Sequence, residues 1–194
     1  MQKIIAEIIS YLLNPAILAV VGVSYITYRT TLNFSIALFW GTVTGVFAAI
    51  VAGFIIYGMR EGLFSNIDVS KRNDRYYLYP FILMVMAIFI TISLMWNAPA
   101  SLTSAIIFLI PTVMIFQIIN TKIKGSIHMA SITGAAVGFA YYYAGWYYLL
   151  LLLVPLVAWA RIKGKKHTKN EVIIGTIFGA VFAIIGVYIV QFFR

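Results

Sequence analysis

The chain contains only two histidines, His128 and His167, and each lies in a short polar segment of an otherwise apolar sequence. His167 is followed four residues later by Glu171, at the predicted start of the last helix. Residues four apart share one helical face, so the carboxylate can orient the imidazole and leave the other ring nitrogen for nucleophilic attack. A helix start favours an anion nearby, and Arg161 can bind phosphate oxygens in a bidentate manner. The polar segment Arg161–Glu171 therefore predicts phosphate chemistry.

The polar segment that contains His128 also contains Ser126, Lys122 and Lys124. A hydroxyl, cations and an imidazole suit phosphoryl transfer, in which positioning and charge stabilisation dominate. An imidazole with a pKa of about 6.5 can also protonate an alkoxide leaving group. We therefore predict His128 as a catalytic acid, and Ser126 and Lys124 as phosphate-binding residues. The alternative for the His167 segment is a solvated basic loop in which His167 is incidental. The alternative for His128 is a structural histidine that opens a helix.

The third polar segment, Asp68–Pro80, alternates acidic and basic residues. Its candidate phosphate-binding residues are Lys71, Arg72 and Arg75, because ammonium and guanidinium groups bind phosphate oxygens through charge-assisted hydrogen bonds. The alternative is an ordinary solvated loop beside a membrane.

The composition indicates an integral membrane protein. Of the 194 residues, 63% are hydrophobic and 10% are charged, whereas soluble domains are about 45–50% apolar and about 25% charged. Because no long polar stretch interrupts the chain, we predict a single integral-membrane domain over residues 1–194. The absence of cysteine excludes thiolate nucleophiles and cysteine-based metal sites. The net charge of +9 lies in short loops, which favours membrane lipids and phosphorylated lipid substrates as partners over nucleic acid.

The apolar runs predict an all-α, polytopic transmembrane helix bundle of six to seven spans, with seven preferred, because a span needs about 17–25 residues. Those runs are Tyr11–Tyr28, Phe34–Met59, Tyr79–Trp96, Ser101–Ile119, Met129–Ala144, Trp146–Ala160 and Val172–Phe193. Six spans remain if Asn14-Pro15 breaks the first run, and the short fifth and sixth runs could form a tight hairpin around Gly145. Met1–Ser10 is expected to be a retained amphipathic lead-in and not a signal peptide. Close packing within the bundle is predicted from glycines four apart, which are Gly41 and Gly45, Gly134 and Gly138, and Gly175 and Gly179.

Alternating the seven spans gathers the polar segments on one membrane face. That face receives both histidines, all five acids and every Lys or Arg except Arg29 and Arg194. The positive-inside rule makes such a face cytoplasmic, whereas a phosphate site would attract cations on either side. We expect the site to open to the cytoplasmic face of the cell membrane, because several of these cations exceed what one site needs.

In order and spacing, the polar segments resemble the type 2 phosphatidic acid phosphatase, or lipid phosphate phosphatase, superfamily, whose motifs are KxxxxxxRP, PSGH and SRxxxxxHxxxD. The third motif reads ARxxxxxHxxxE in this chain, with Arg161, His167 and Glu171 in register. The second motif reads Gly-Ser-Ile-His and retains Ser126 and His128.

The first motif is aligned through Pro80. This alignment places Arg72 where the family has lysine and Tyr79 where it has arginine. Because a phenol cannot replace a guanidinium, we predict that Arg75 substitutes for the missing arginine, with Lys71 as the other candidate.

The resemblance implies a phosphatase that uses neither a metal nor a cofactor, acting on a lipid phosphate or an isoprenoid diphosphate. His167 would attack phosphorus to form a phosphohistidine, and Glu171 would orient it. His128 would protonate the leaving alcohol and then activate water. The phosphoryl oxygens would be held by Arg161, Ser126, Arg72 and Arg75.

Three other functions stay open. Tyr79 and Ile127 depart from the family pattern, which favours a catalytically lapsed protein of the same fold that binds or transports a lipid phosphate. A phosphotransferase with the same phosphohistidine is a close variant of the phosphatase. Asp68 and Asp74 suggest an aspartate-rich, magnesium-dependent isoprenoid transferase, which would require a second acidic cluster.

Overall fold

The computed structural model describes residues 1–192, with side chains described as far as residue 189. Within this range every regular element is a helix. The elements are α1 (Gln2–Leu12), α2 (Pro15–Thr31), α3 (Phe34–Arg60), α4 (Arg75–Met95), α5 (Ala100–Lys122), α6 (Ile127–Tyr143), a 3₁₀ helix (Gly145–Leu152), α7 (Leu153–Lys163) and α8 (Lys169–Phe192). The predicted all-α fold is therefore confirmed.

Five helical segments are long and apolar enough to cross a membrane, namely α3, α4, α5, the 3₁₀ helix with α7, and α8. The pair α1 and α2, bent by 41°, forms a sixth if it is counted as one span. Helix α6 has 17 residues, at the short end of the range of about 17–25 residues for a span. The chain is thus an integral membrane protein, and the count of seven spans stays a prediction. Two residues lie outside the described part of the chain: Phe193, the predicted end of the last apolar run, and Arg194, a cation predicted on the sparsely charged face.

The break between α1 and α2 lies at Asn14-Pro15, where the sequence indicated it. The Asn14 side-chain oxygen accepts a hydrogen bond from the backbone nitrogen of Ala16 at 2.8 Å. Pro15 is the first residue of α2, a position whose backbone nitrogen needs no helical acceptor. These two residues therefore start a new helix and do not merely kink the first one.

The chain reverses direction after α6 at Ala144 and Gly145, which have φ angles of 54° and 60°. Glycine adopts this left-handed conformation readily, whereas alanine does so at a cost. The hairpin around Gly145 is present. The second arm of the hairpin begins as a 3₁₀ helix. An unbroken apolar run has no periodicity, so the sequence does not distinguish this 3₁₀ helix from an α-helix.

The described chain folds into two compact units, one formed by residues 1–18 with 122–192 and the other by Ala19–Thr121. In the first unit, α6, α7 and α8 pack around a core of four buried side chains, which are Met129, Ile132, Val157 and Val172. Glycines bring α6 and α8 close together, since a Cβ atom at Gly179 would lie 2.4 Å from the carbonyl oxygen of Ala130. The close packing predicted from the glycines of these helices is confirmed.

In the second unit, α3, α4 and α5 contribute one core cluster, which consists of Trp40, Phe89, Leu102 and Ile106. Gly41 of α3 lies against the Ser24 side chain of α2, so this glycine also serves helix packing. A second cluster contains Phe64, Val69 and Leu78. It anchors the loop that leads into α4 and thereby positions the polar segment at the start of that helix.

Candidate functional site

The start of α8 is a capping box formed by Thr168 and Glu171. The Thr168 hydroxyl accepts a hydrogen bond from the Glu171 backbone nitrogen, and Glu171 Oε2 accepts one from the Thr168 backbone nitrogen, both at 3.3 Å. This reciprocal pair satisfies two backbone donors that a helix start would otherwise leave unbonded. It holds the Glu171 carboxylate at the positive end of the helix dipole.

Glu171 also binds the imidazole of His167, the contact predicted from the sequence. The predicted reason was wrong, because His167 lies two residues before α8 and does not share a helical face with Glu171. The distance between His167 Nδ1 and Glu171 Oε2 is 2.7 Å, and the His167 side chain is 2% exposed. Because an ionised carboxylate can only accept hydrogen bonds, this contact requires the proton on Nδ1. The carboxylate therefore selects both the ring orientation and the tautomer of His167.

The second carboxylate oxygen of Glu171 pairs with Lys124, whose Nζ lies 3.0 Å from Oε1. Lys124 was predicted to bind phosphate directly, but its ammonium group contacts the carboxylate that orients His167. The side chains are 27% and 15% exposed, so water screens this ion pair only in part. Lys124 thus connects the loop before α6 to the start of α8.

Ser126 is completely buried and has a structural role at the start of α6. Its hydroxyl accepts a hydrogen bond from the backbone nitrogen of Met129 at 3.4 Å, and its own backbone nitrogen donates to the Glu171 carbonyl at 3.0 Å. The contact depends on Gly175, where a Cβ atom would lie 2.4 Å from the Ser126 carbonyl oxygen. The predicted phosphate-binding residue Ser126 is therefore also the cap of α6.

Arg161 lies in the last turn of α7, and its side chain is completely buried. Its carbonyl oxygen accepts hydrogen bonds from the backbone nitrogens of Lys166 and His167, at 3.1 and 3.3 Å. Lys165 supplies the left-handed residue of this turn, with a φ angle of 55°. The loop after α7 therefore folds back on the helix end and joins Arg161 to His167 through the backbone.

His128, the predicted acid, lies in the first turn of α6, two residues after Ser126, and is 7% exposed. The first unit thus holds both histidines at helix starts. Contacts with Glu171 connect His167 and Lys124 through side chains and Ser126 through the backbone.

The second unit contains a buried polar network at the start of α4. Arg75 Nε donates to the Val69 carbonyl oxygen at 3.2 Å, and Arg75 Nη1 donates to Asn120 Oδ1. Asn120 Nδ2 donates in turn to the Tyr79 hydroxyl at 3.3 Å. Arg75, the predicted substitute, and Tyr79, which stands at the family's arginine position, therefore share one partner. Sequence reasoning did not identify Asn120.

Lys71 and Arg72, the other candidates of this segment, are exposed residues before α4. The Arg72 carbonyl accepts a hydrogen bond from the Arg75 backbone nitrogen at 3.1 Å. Asp74 accepts from the backbone and hydroxyl of Ser65, at 2.8 and 2.6 Å, so its carboxylate stabilises the loop. Among residues with described side chains, no group of three His, Asp or Glu could hold a metal ion, so the magnesium-dependent alternative has no ligand cluster there.

Comparison of the chain with protein-family models, curated proteins and solved structures gives no match. The chemistry of the candidate site is therefore argued from its residues. In the first unit these are a buried imidazole with an orienting carboxylate, a buried guanidinium and a second imidazole.

Proposed function

We propose that the protein is a membrane phosphatase that hydrolyses a lipid phosphate or an isoprenoid diphosphate through a phosphohistidine. The observation that carries the proposal is the 2.7 Å contact between His167 Nδ1 and Glu171 Oε2 at the start of α8. It supports the role that the third sequence motif implies for the two residues. A carboxylate that orients the ring in this way is also a means of activating a histidine nucleophile.

In the first half-reaction, His167 Nε2 attacks phosphorus while Nδ1 donates its hydrogen bond to Glu171. The nitrogen–phosphorus bond forms as the bond between phosphorus and the leaving oxygen breaks. His128 donates a proton to that oxygen, which leaves as an alcohol or, from a diphosphate, as a monophosphate. In the second half-reaction, His128 takes a proton from water, the water oxygen bonds to phosphorus, and the nitrogen–phosphorus bond breaks.

Arg161 supports the binding of phosphate in this scheme. A completely buried guanidinium is costly unless acceptors or an anion compensate its charge, and phosphoryl oxygens fit its planar array of donors. Its carbonyl oxygen accepts a hydrogen bond from the His167 backbone nitrogen at 3.3 Å, so any shift of the end of α7 also moves the proposed nucleophile.

The test is phosphate release by the purified protein in detergent, with EDTA present, from a panel of lipid phosphates and isoprenoid diphosphates. His167→Ala should abolish release and also abolish ³²P labelling of the protein. Glu171→Gln keeps a side chain that can complete the capping box but removes the charge that fixes the orientation and tautomer of His167. It should reduce turnover by about 10²-fold, the cost of a misplaced reacting group. Lys169→Ala, an exposed position at the same helix start, should retain activity.

Undiminished release by His167→Ala would refute the mechanism. The second candidate function is a lapsed protein that binds or transports a lipid phosphate. It is favoured by the caps of α6 and α8, because Ser126 and Glu171 would be required there without any catalysis. It predicts saturable binding of the lipid phosphate with no release from the wild-type protein.

A further inference from the structure

The turn after α7 carries three lysines within four positions. They are Lys163, Lys165 and Lys166, and the turn contains no acidic residue. Lys163 and Lys165 are exposed, whereas Lys166 is partly buried. The backbone nitrogens of Gly164, Lys165 and Lys166 donate hydrogen bonds to carbonyl oxygens of α7, at 2.9, 3.0 and 3.1 Å. The end of α7 is therefore an ordered, cationic turn.

The outer side of α7 leads to this turn as an apolar stripe. Leu156 and Trp159 are 40% and 39% exposed, and Lys163 is the next residue on that side. Spacings of three and four residues place all three on one helical face, whereas Val157 and Ala160 are buried. The 3₁₀ helix and α7 together are long and apolar enough to cross a membrane, so exposed apolar side chains on this span contact acyl chains. Trp159 lies near the end of the span, the depth at which tryptophan is enriched.

The stripe and the turn match the two parts of an anionic phospholipid. An acyl chain can lie along Leu156 and Trp159, while lysines at the end of a span extend to the level of the head groups and attract lipid phosphates. A zwitterionic head group carries its own cation, which the lysines repel, so a lipid with net negative charge is favoured.

We propose that the outer side of α7, with Lys163 and Lys165, is a docking surface for an anionic membrane phospholipid. The surface adjoins the candidate site in sequence, since His167 follows Lys166 directly. The proposal does not depend on the chain being a phosphatase, because it concerns a lipid that need not be hydrolysed.

The experiment measures which lipid lies against Trp159 in bilayers of phosphatidylglycerol and phosphatidylcholine. One lipid at a time carries bromine on its acyl chains, which quenches the fluorescence of a tryptophan that it contacts. The contribution of Trp159 is the difference between proteins with and without Trp159→Phe. Brominated phosphatidylglycerol should quench Trp159 more strongly than brominated phosphatidylcholine. Each lysine near the membrane surface contributes about fivefold, so the double variant Lys163→Gln with Lys165→Gln should reduce this preference by about tenfold or more.

Two further measurements make the test independent of overall charge and of the folding of the variant. The matched control, Arg29→Gln with Arg60→Gln, removes two exposed cations of the second unit and should keep the wild-type preference. Salt at about 1 M should weaken the preference of the wild type, because it screens exposed charges.

Equal quenching of wild-type Trp159 by the two lipids would overturn the inference. An unchanged preference in the lysine double variant, or in the wild type at high salt, would overturn it as well. An equal loss in the arginine control would also refute it, because the net charge of the protein and not the turn after α7 would then select the lipid.

Discussion

Gly175→Ala should disable the candidate site without replacing any residue proposed to act on the substrate. Gly175 lies one helical turn after Glu171 on α8 and faces the backbone at the start of α6. A Cβ atom there would lie 2.4 Å from the Ser126 carbonyl oxygen and 3.2 Å from the Ser126 nitrogen. Both obstacles are backbone atoms at a helix start, so no side-chain rotation can relieve the clash.

The size of the disturbance follows from that distance. Close carbon–oxygen contacts in proteins are about 3.3–3.6 Å long, so α8 and the start of α6 must separate by about 1 Å. The hydrogen bond from the Ser126 nitrogen to the Glu171 carbonyl, 3.0 Å long, would be lost or strongly weakened. Overpacking of this kind costs about 1–3 kcal/mol of stability. A 1 Å displacement of reacting groups can cost about 10²-fold in rate.

The assay measures the thermal unfolding midpoint and phosphate release for Gly175→Ala beside Gly138→Ala. Gly138 belongs to the same pair of helices, but a Cβ atom there would lie 3.9 Å from the Ala183 Cβ atom, an ordinary contact. The control should therefore resemble the wild type in both measurements. A Gly175→Ala protein with unchanged midpoint and unchanged release would show that the contact between Ser126 and α8 does not position the site.

Two further predictions concern Lys124 and the orientation of the chain in the membrane. Lys124→Met should lower kcat with little change in KM, because the ammonium group pairs with Glu171. Lys124→Arg should retain most of the wild-type kcat. The stability loss of Lys124→Met should stay below about 1 kcal/mol, as for other partly exposed ion pairs. A rise in KM alone would instead assign Lys124 to phosphate binding. The chain has no cysteine, so single cysteines at Leu32 and Lys163 can be labelled with a membrane-impermeant reagent in intact cells. If seven spans and a cytoplasmic site are right, Leu32→Cys should be labelled and Lys163→Cys should not, and the reverse result would overturn the orientation.

The helices could be predicted from the sequence because each apolar run is bounded by residues that start or end a helix. Asn14-Pro15 and Gly145 are examples, and the structure has a helix break or a reversal at each. The boundaries were less predictable at polar ends, where α4 begins at Arg75 and α8 at Lys169. Polar residues can extend a membrane helix beyond its apolar run, since hydropathy reports the hydrocarbon interior and not the helix length.

Within the candidate site, local contacts were predictable and long-range contacts were not. The contact between His167 and Glu171 joins residues only four apart, although His167 lies two residues before α8 and not on its face as the sequence had indicated. Thr168-x-x-Glu171 is itself a capping signature in the sequence. The partners of Lys124 and Asn120 follow from no local rule. Glu171 lies 47 residues from Lys124 and Arg75 lies 45 residues from Asn120 in sequence, and only the packing of helices brings each pair together.

The capping box offers a purely structural explanation for Glu171, and the geometry limits how far that explanation extends. A cap requires only that the carboxylate accept a hydrogen bond from the Thr168 backbone nitrogen. It does not require a buried imidazole 2.7 Å from the same oxygen, nor an ammonium group 3.0 Å from the other oxygen. Burying a histidine against a carboxylate adds desolvation cost without satisfying any further backbone group at the helix start. Helix formation thus accounts for Glu171 and Thr168, whereas the contacts of His167 and Lys124 with the carboxylate go beyond what a cap requires and are the ones that the proposed function uses.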